Sequence, residues 1–230
     1  ASDLPTYDPK TGVGFWRHFI VRKAKKTGEI MLVFSVNGVW DLTDSVIAKD
    51  KTAWVVQEFF NQLITTLTKK YLKISSIFFL ENTGRADVVT GNPVLLFGKP
   101  SITDELFWLT FEIQPKSFFQ VNTLGAEKLY SQVIEQIHHK GWILLDLYAG
   151  TGTIGILLSK YFEKVYSVEL IESASQDGAK NATKNNVHNV EFVCNKAEVF
   201  AKEFLGKWGR GDTIVIDPPR DGMHPDTLPS

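Results

Sequence analysis

Trp142-Ile143-Leu144-Leu145-Asp146-Leu147-Tyr148-Ala149-Gly150-Thr151-Gly152-Thr153-Ile154-Gly155 is the stretch that decides the fold. Trp142 to Leu147 is an apolar run of strand length. It ends in a glycine-rich turn, and Ile154 to Phe162 then takes helical spacing. Strand, tight turn and helix together bring backbone N–H groups close to a bound nucleotide. Gly150, Gly152 and Gly155 carry no Cβ to block that approach.

The three glycines spell GxGxxG, which also suits a dinucleotide. Asp146 argues against one. At the strand tip, just before the turn, it would face a pyrophosphate and repel it. The same carboxylate favours a ligand with positive charge, such as the ammonium and sulfonium of S-adenosylmethionine. Glu169 closes the next strand, Lys164 to Leu170. It follows the turn at about the 20-residue spacing that sets an acid on ribose hydroxyls. One acid thus stands toward a methionine end and the other toward a ribose. The plainer alternative makes Asp146 a helix cap and Glu169 a surface residue. It leaves the context of the motif unexplained.

Working outward, 230 residues make one large domain or two small ones, and 43 % hydrophobic residues supply a sizeable core. Cys194 is the single cysteine, so no internal disulfide forms and a reducing cytoplasm fits. The N-terminus is polar and lacks an apolar signal core. No apolar run approaches the ~20 residues that span a membrane. The net charge of −1 does not advertise a nucleic-acid binder. It averages over a local cluster, Arg17, Arg22, Lys23, Lys25 and Lys26, which can meet phosphates or simply be a charged hairpin turn.

Residues 1 to 14 read as an extended lead-in. Strands are expected at Phe15 to Arg22 and Glu29 to Asn37, with a turn at Lys26-Thr27-Gly28. Ala53 to Tyr71 reads as an amphipathic helix with Val55, Phe59, Leu63 and Leu67 on one stripe. Ile74 to Leu80, Val94 to Phe97 and Leu106 to Ile113 return to strand character. These elements make a small α+β domain over residues 1–110. Residues 111–230 form a second domain. A helix capped by Asn122 or Thr123 runs to His139. Strands 142–147, 164–169, 190–194 and 213–217 then alternate with helices 154–162, 172–185 and 197–205. That alternation implies an α/β fold with a parallel sheet, whose ligands lie beyond the carboxyl ends of the strands. Asp146, Glu169, Asn195 and Asp217 all fall there. The sheet is expected to be cut short after Asp217, as in a truncated product.

Four stretches together resemble the RNA 5-methyluridine methyltransferase family. They are Ser117-Phe118-Phe119-Gln120-Val121-Asn122, Asp146-Leu147-Tyr148-Ala149-Gly150-Thr151-Gly152, Val168-Glu169-Leu170, and Asp217-Pro218-Pro219-Arg220-Asp221-Gly222. The resemblance runs from about Phe15 to the end and is weaker before Leu106. It implies a Rossmann-like S-adenosylmethionine-dependent methyltransferase domain preceded by the small α+β domain. It also implies a cytoplasmic enzyme that methylates carbon five of uracil in rRNA or tRNA. S-adenosyl-L-methionine is the implied cofactor and RNA the implied partner. The small domain becomes a candidate for RNA contact.

By that resemblance Gln120 meets the cofactor from outside the sheet. Tyr148, Gly150 and Thr153 wrap its methionine end, beside Asp146. Glu169 takes the ribose hydroxyls, Asn195 lies near the adenine, and Asp217 stands between cofactor and target base in a supporting catalytic role. Family enzymes add a cysteine thiolate to carbon six of uracil, and a glutamate region supports loss of the carbon-five proton. Both are expected past residue 230, so this chain is expected to bind cofactor without turnover. Cys194, following an apolar strand on the adenine side, is expected to be a buried small residue. An RNA-binding barrel and iron–sulfur cysteines, carried by some members, are not visible here. Rival readings are an RNA 5-methylcytosine methyltransferase, an amino-group methyltransferase, a non-catalytic cofactor- or RNA-binding module, and a dehydrogenase. Arg220 and the Phe-Phe-Gln-Val-Asn stretch weigh against the first, Arg220 in place of an aromatic residue weighs against the second, and Asp146 and the late position of the turn weigh against the last.

Overall fold

The computed structural model describes residues 4–38, 51–84, 91–137, 140–209, 211–220 and 222–227. His139 and Asp221 lie outside them. Backbone contacts divide the chain into two units, one of residues 1–103 with 114–116 and one of residues 104–113 with 117–230. Residues 104–113, close to the boundary read from the sequence, thus go with the second unit.

The first unit carries β1 (Trp16–Lys23), β2 (Ile30–Val36), α1 (Lys51–Lys70), β3 (Ile74–Glu81) and β4 (Pro93–Gly98). They form one sheet in the order β1-β2-β3-β4. β2 and β3 are parallel, joined through α1, while β1 and β4 are antiparallel to their neighbours. Alternate residues Leu32, Phe34 and Val36 of β2 and Ile77 and Phe79 of β3 pack with α1 in one core. Phe59, Leu63 and Leu67 of the stripe read from sequence pack against this core half-buried, and its centre lies at Val56 and Phe60. Val56 and Phe60 are buried, whereas Val55 is 46 % exposed. The ring of Phe60 lies 5.3–5.8 Å from Trp16, Phe34, Phe59 and Phe79, mostly edge-on. Two arginines of the expected basic cluster are drawn inward. Arg17 stacks on Tyr7 and donates to the Asn82 carbonyl at 2.9 Å. Burial lowers the pKa of Arg22 from its usual value.

Where the sequence suggested one strand from Leu106 to Ile113, the chain makes a hairpin of β5 (Ile102–Leu106) and β6 (Leu109–Ile113). Phe107 turns between them with φ of 55°, and its N–H donates to Glu127. A left-handed phenylalanine carries none of the turn chemistry that marks a reversal in sequence. α2 (Thr123–Glu135) starts at Asn122, whose side chain accepts the Gly125 N–H. It closes at Glu135, short of the expected His139.

The remaining elements alternate as the sequence implied: β7 (Gly141–Leu147), α3 (Thr153–Leu158) with a 3-10 turn at Ser159–Tyr161, β8 (Phe162–Glu169), α4 (Glu172–Lys184), β9 (Val190–Cys194), α5 (Ala197–Trp208) and β10 (Thr213–Ile216). The four strands are parallel, in the order β10-β7-β8-β9. This is a Rossmann-like arrangement. Leu145, Leu147 and Val168 pack with Ala197, Ala201 and Phe204 of α5. No described helix is long and apolar enough to cross a membrane.

α4 has an unusual seat for the hairpin. Asp177, Asn181 and Asn185 stand four residues apart, hence on one face. Asn185 accepts from the Thr110 N–H at 2.8 Å and donates to its carbonyl at 2.7 Å. Asn181 does the same with Glu112, at 2.8 and 3.3 Å. These side chains supply the backbone partners of β6 on that side. Asn185→Ala should therefore destabilise the chain by about 1–3 kcal/mol, the cost of leaving such groups unpaired. Urea unfolding measures this, and an unchanged midpoint would deny the asparagines a structural role.

Candidate functional site

The strand order decides which side chains meet. β10, β7, β8 and β9 end side by side, so Asp217, Asp146, Glu169 and Asn195 follow one another across the carboxyl edge of the sheet. Backbone bonds run across this edge beyond the strands themselves. Ala149 N–H donates to Val168 at 3.0 Å, and Asn195 N–H donates to Glu169 at 3.1 Å. Ligands of parallel α/β sheets bind in this position.

Asp146 is buried at the centre, 1 % exposed. Its Oδ2 accepts from the Gly155 N–H at 2.9 Å and from the Ser167 hydroxyl at 3.0 Å. One carboxylate oxygen thereby ties β7 to the start of α3 and to β8. Its Oδ1 is buried with no hydrogen-bond partner among the described residues. Burial is the largest influence on its pKa, which rises from 3.8 to about 7. The Ser167 and Gly155 bonds pull it back, and the Asp217 and Glu169 charges push it further up. Those charges act only because the three carboxylates lie near one another.

The glycine turn is shaped around this anchor. Gly150 and Gly152 have φ of 56° and 71°, in the left-handed region that favours glycine. A Cβ at Gly155 would overlap Ser167 Oγ and lie 2.7 Å from Asp146 Oδ2. A Cβ at Gly150 would meet nothing within 4 Å, so the backbone there borders open space. Glu169 receives the Gly150 N–H on Oε2 and the Ile171 N–H on Oε1, both at 2.8 Å. Each oxygen keeps acceptor capacity for a further donor.

The other expected residues divide. The Thr153 hydroxyl lies 3.5 Å from that of Thr151. Asn195 turns its side-chain oxygen to the following N–H of Lys196 at 2.8 Å. Tyr148 has φ of 62° and sends its hydroxyl away from the turn, to the Thr227 hydroxyl at 3.0 Å and the His224 N–H at 3.2 Å. Cys194 is exposed rather than buried, with Sγ 3.5 Å from the Leu170 carbonyl, because β9 is the outer strand.

Sequence reading missed Tyr130. Buried on α2, it sets its phenol beside the Gln120 side chain. Burial, then the charges of Asp217 and Asp146, push its phenol up to about 12 against an opposing pull from Gln120, so it stays neutral. Ala126 and Tyr130 are spaced as an ordinary apolar helix face, which hid the role. The segment bearing Gln120 is pinned on both sides. Ser117 donates to Asp177 of α4 at 2.7 Å, and Thr151 of the glycine turn donates to the Phe118 carbonyl at 3.3 Å. Phe119 packs on Phe111 at 5.6 Å. This long-range polar pairing has no local sequence signature.

The arrangement leaves acceptor positions on Glu169 open at the sheet edge, with the unpartnered Asp146 oxygen buried beneath them. Among the described residues no cluster of His, Cys, Asp and Glu could hold a metal ion. The elevated Asp146 pKa fixes the sign of a pH effect. A carboxyl whose folded value exceeds its unfolded one binds more protons when folded. Its contribution is largest in acid and is lost as pH rises from about 4 to about 7. The urea midpoint of the wild-type chain should therefore fall relative to Asp146→Asn between pH 5 and pH 7.5, and a constant difference would contradict the buried, protonated carboxyl.

The chain is similar to several known proteins. The tRNA (uracil-5-)-methyltransferase family model matches residues 101–229. An uncharacterized RNA methyltransferase of Clostridium acetobutylicum is 38 % identical over 98 % of this chain and 46 % of its own length. Another, from Caldanaerobacter subterraneus, is 34 % identical over 98 % of this chain and 47 % of its own. The chain thus spans about half the length of the curated relatives it matches. Among solved structures, the Pyrococcus abyssi tRNA (uracil-54, C5)-methyltransferase in complex with S-adenosyl-L-homocysteine superposes with a TM-score of 0.71 at 28 % identity, over 96 % of this chain and 48 % of that one.

Proposed function

The chain belongs to the tRNA (uracil-5-)-methyltransferase family, and on that premise we propose that it is the cofactor-binding part of an enzyme that methylates carbon five of uridine in tRNA or rRNA. The observation that carries the reading is the pair of acids at adjoining strand tips. Asp146 keeps a buried, unpartnered oxygen, and Glu169 keeps an open acceptor position on each oxygen. S-adenosyl-L-methionine fits this pair, since its ribose diol suits the open acceptors of Glu169 and its positive charge is favoured near the carboxyl of Asp146. When bound, it supplies an electrophilic methyl group.

The chain's own residues divide the remaining work. Gly150 lets the backbone approach the cofactor without a Cβ in the way. Gln120 reaches in from the segment Ser117–Gln120, which Asp177 and Thr151 pin in place. Asn195 flanks the adenine from the β9 end of the row. Asp217, exposed at the β10 end, faces the target base and supports its orientation. Tyr148 contributes its backbone to the turn, because its hydroxyl is engaged by Thr227 and His224.

Carbon five of uracil is too electron-poor to take a methyl group unaided. A thiolate added at carbon six supplies the electrons. Cys194 is not that nucleophile. It ends β9, while Asp217 follows β10 at the opposite side of the sheet. Three strand spacings separate them, about 14 Å. The reactive cysteine and the proton-accepting glutamate are proposed to belong to the full enzyme outside these 230 residues, so methyl transfer from this chain alone to unmodified RNA should not be detected.

Isothermal titration with S-adenosyl-L-homocysteine tests the cofactor reading. Saturable heat is expected, and Glu169→Ala should weaken affinity at least about tenfold, or ~1.4 kcal/mol. No heat from the wild-type chain at saturating ligand would overturn the proposal.

A further inference from the structure

The strand topology of the first unit gathers charge that the sequence scatters. β1 ends at Lys23 where β2 begins at Ile30, and β3, parallel to β2, begins at Ile74. β4, antiparallel to β3, ends at Gly98. All four strands therefore present one end together. Their flanks carry Lys23, Lys25 and Lys26 from the first turn, Lys69, Lys70 and Lys73 from the end of α1 and the turn after it, and Lys99 after β4. The turns touch, since Ile30 N–H donates to the Lys73 carbonyl at 2.9 Å.

All seven lysines are exposed. The same stretches hold a single acid, Glu29, which binds Lys99 at 2.6 Å and accepts the Thr103 N–H at 2.7 Å. The chain as a whole carries −1, so this end is a segregated charge and not a sample of the average surface. Lysines in the last turn of α1 offset the negative end of its dipole. That accounts for Lys69 and Lys70 but not for Lys23 or Lys73, which flank strands. Two large apolar side chains stand among them: Tyr71 is 47 % exposed, with Lys70 5.4 Å from its ring, and Leu72 is 88 % exposed.

We propose that this end of the first unit is an RNA-docking surface, where the lysines take successive backbone phosphates and Tyr71 offers its ring to an unpaired base. The proposal rests on the methyltransferase reading for the identity of the polyanion. Four strands span about 14 Å, wide enough for several phosphates. Lysine–phosphate contacts add affinity without sequence preference, and an aromatic face among them favours a nucleic acid over an acidic polypeptide. This surface would hold substrate RNA, and the row of strand tips would hold the cofactor.

The test is fluorescence anisotropy of the 230-residue chain with a labelled, unmodified uridine-containing RNA hairpin, titrated over about 50–300 mM KCl. Lys23→Gln, Lys69→Gln, Lys70→Gln and Lys73→Gln are combined in one variant, and Tyr71→Ala is made separately. The combined variant should bind at least about tenfold more weakly at low salt, and its log–log salt slope should be shallower by about 2 to 3. Tyr71→Ala should lose affinity with the slope kept. Circular dichroism and S-adenosyl-L-homocysteine affinity should not change. Equal affinity and slope in wild type and the combined variant would overturn the proposal. So would poly-glutamate binding the wild type as tightly as RNA. Intact cofactor binding in those cases leaves the methyltransferase reading standing, whereas loss of cofactor binding from the wild type sinks that reading by itself.

Discussion

A buried carboxylate oxygen holds the second unit together. Asp146 Oδ2 draws in the Gly155 N–H and the Ser167 hydroxyl, so one atom fixes the positions of β7, the start of α3 and β8. The bond to Gly155 is possible because that residue has no Cβ to collide with it. With this anchor set, the turn at 148–152 has to pass over the strand tips, and Gly150 and Gly152 accept the left-handed backbone that the route demands. Burying a carboxyl is costly, and here the cost is met by letting its pKa rise to about 7.

From that anchor the site spreads along the sheet edge. The order β10-β7-β8-β9 converts four residues far apart in the chain into one row. The segment Ser117–Gln120 is pinned to α4 through Asp177 and to the glycine turn through Thr151. Tyr130 of α2 lies beside the Gln120 side chain. The placement of Gln120 is thus set by bonds far from it in sequence.

Much of this was legible beforehand. Strand, turn and helix at 142–158 and the acid ending β8 follow from local periodicity and spacing, which hydrophobic burial enforces. What escaped depends on contacts that periodicity does not encode. The Leu106–Ile113 run hid a reversal because Phe107 turns the chain without glycine or proline. Tyr130 hid within an apolar helix face. Arg17 and Arg22 read as surface charge, yet one is bound to Asn82 and the other is largely withdrawn from water. Cys194 read as buried because its strand is apolar, and only the strand order reveals that β9 lies outermost.

The asparagines of α4 carry a consequence for how the protein behaves in a crowded solution. A two-stranded ribbon leaves a row of backbone donors and acceptors along its outer margin, and such a margin is a template on which another molecule can add a strand. Asn181 and Asn185 occupy those groups on Thr110 and Glu112 with their own amides. The asparagine face of a helix here guards a ribbon against self-association.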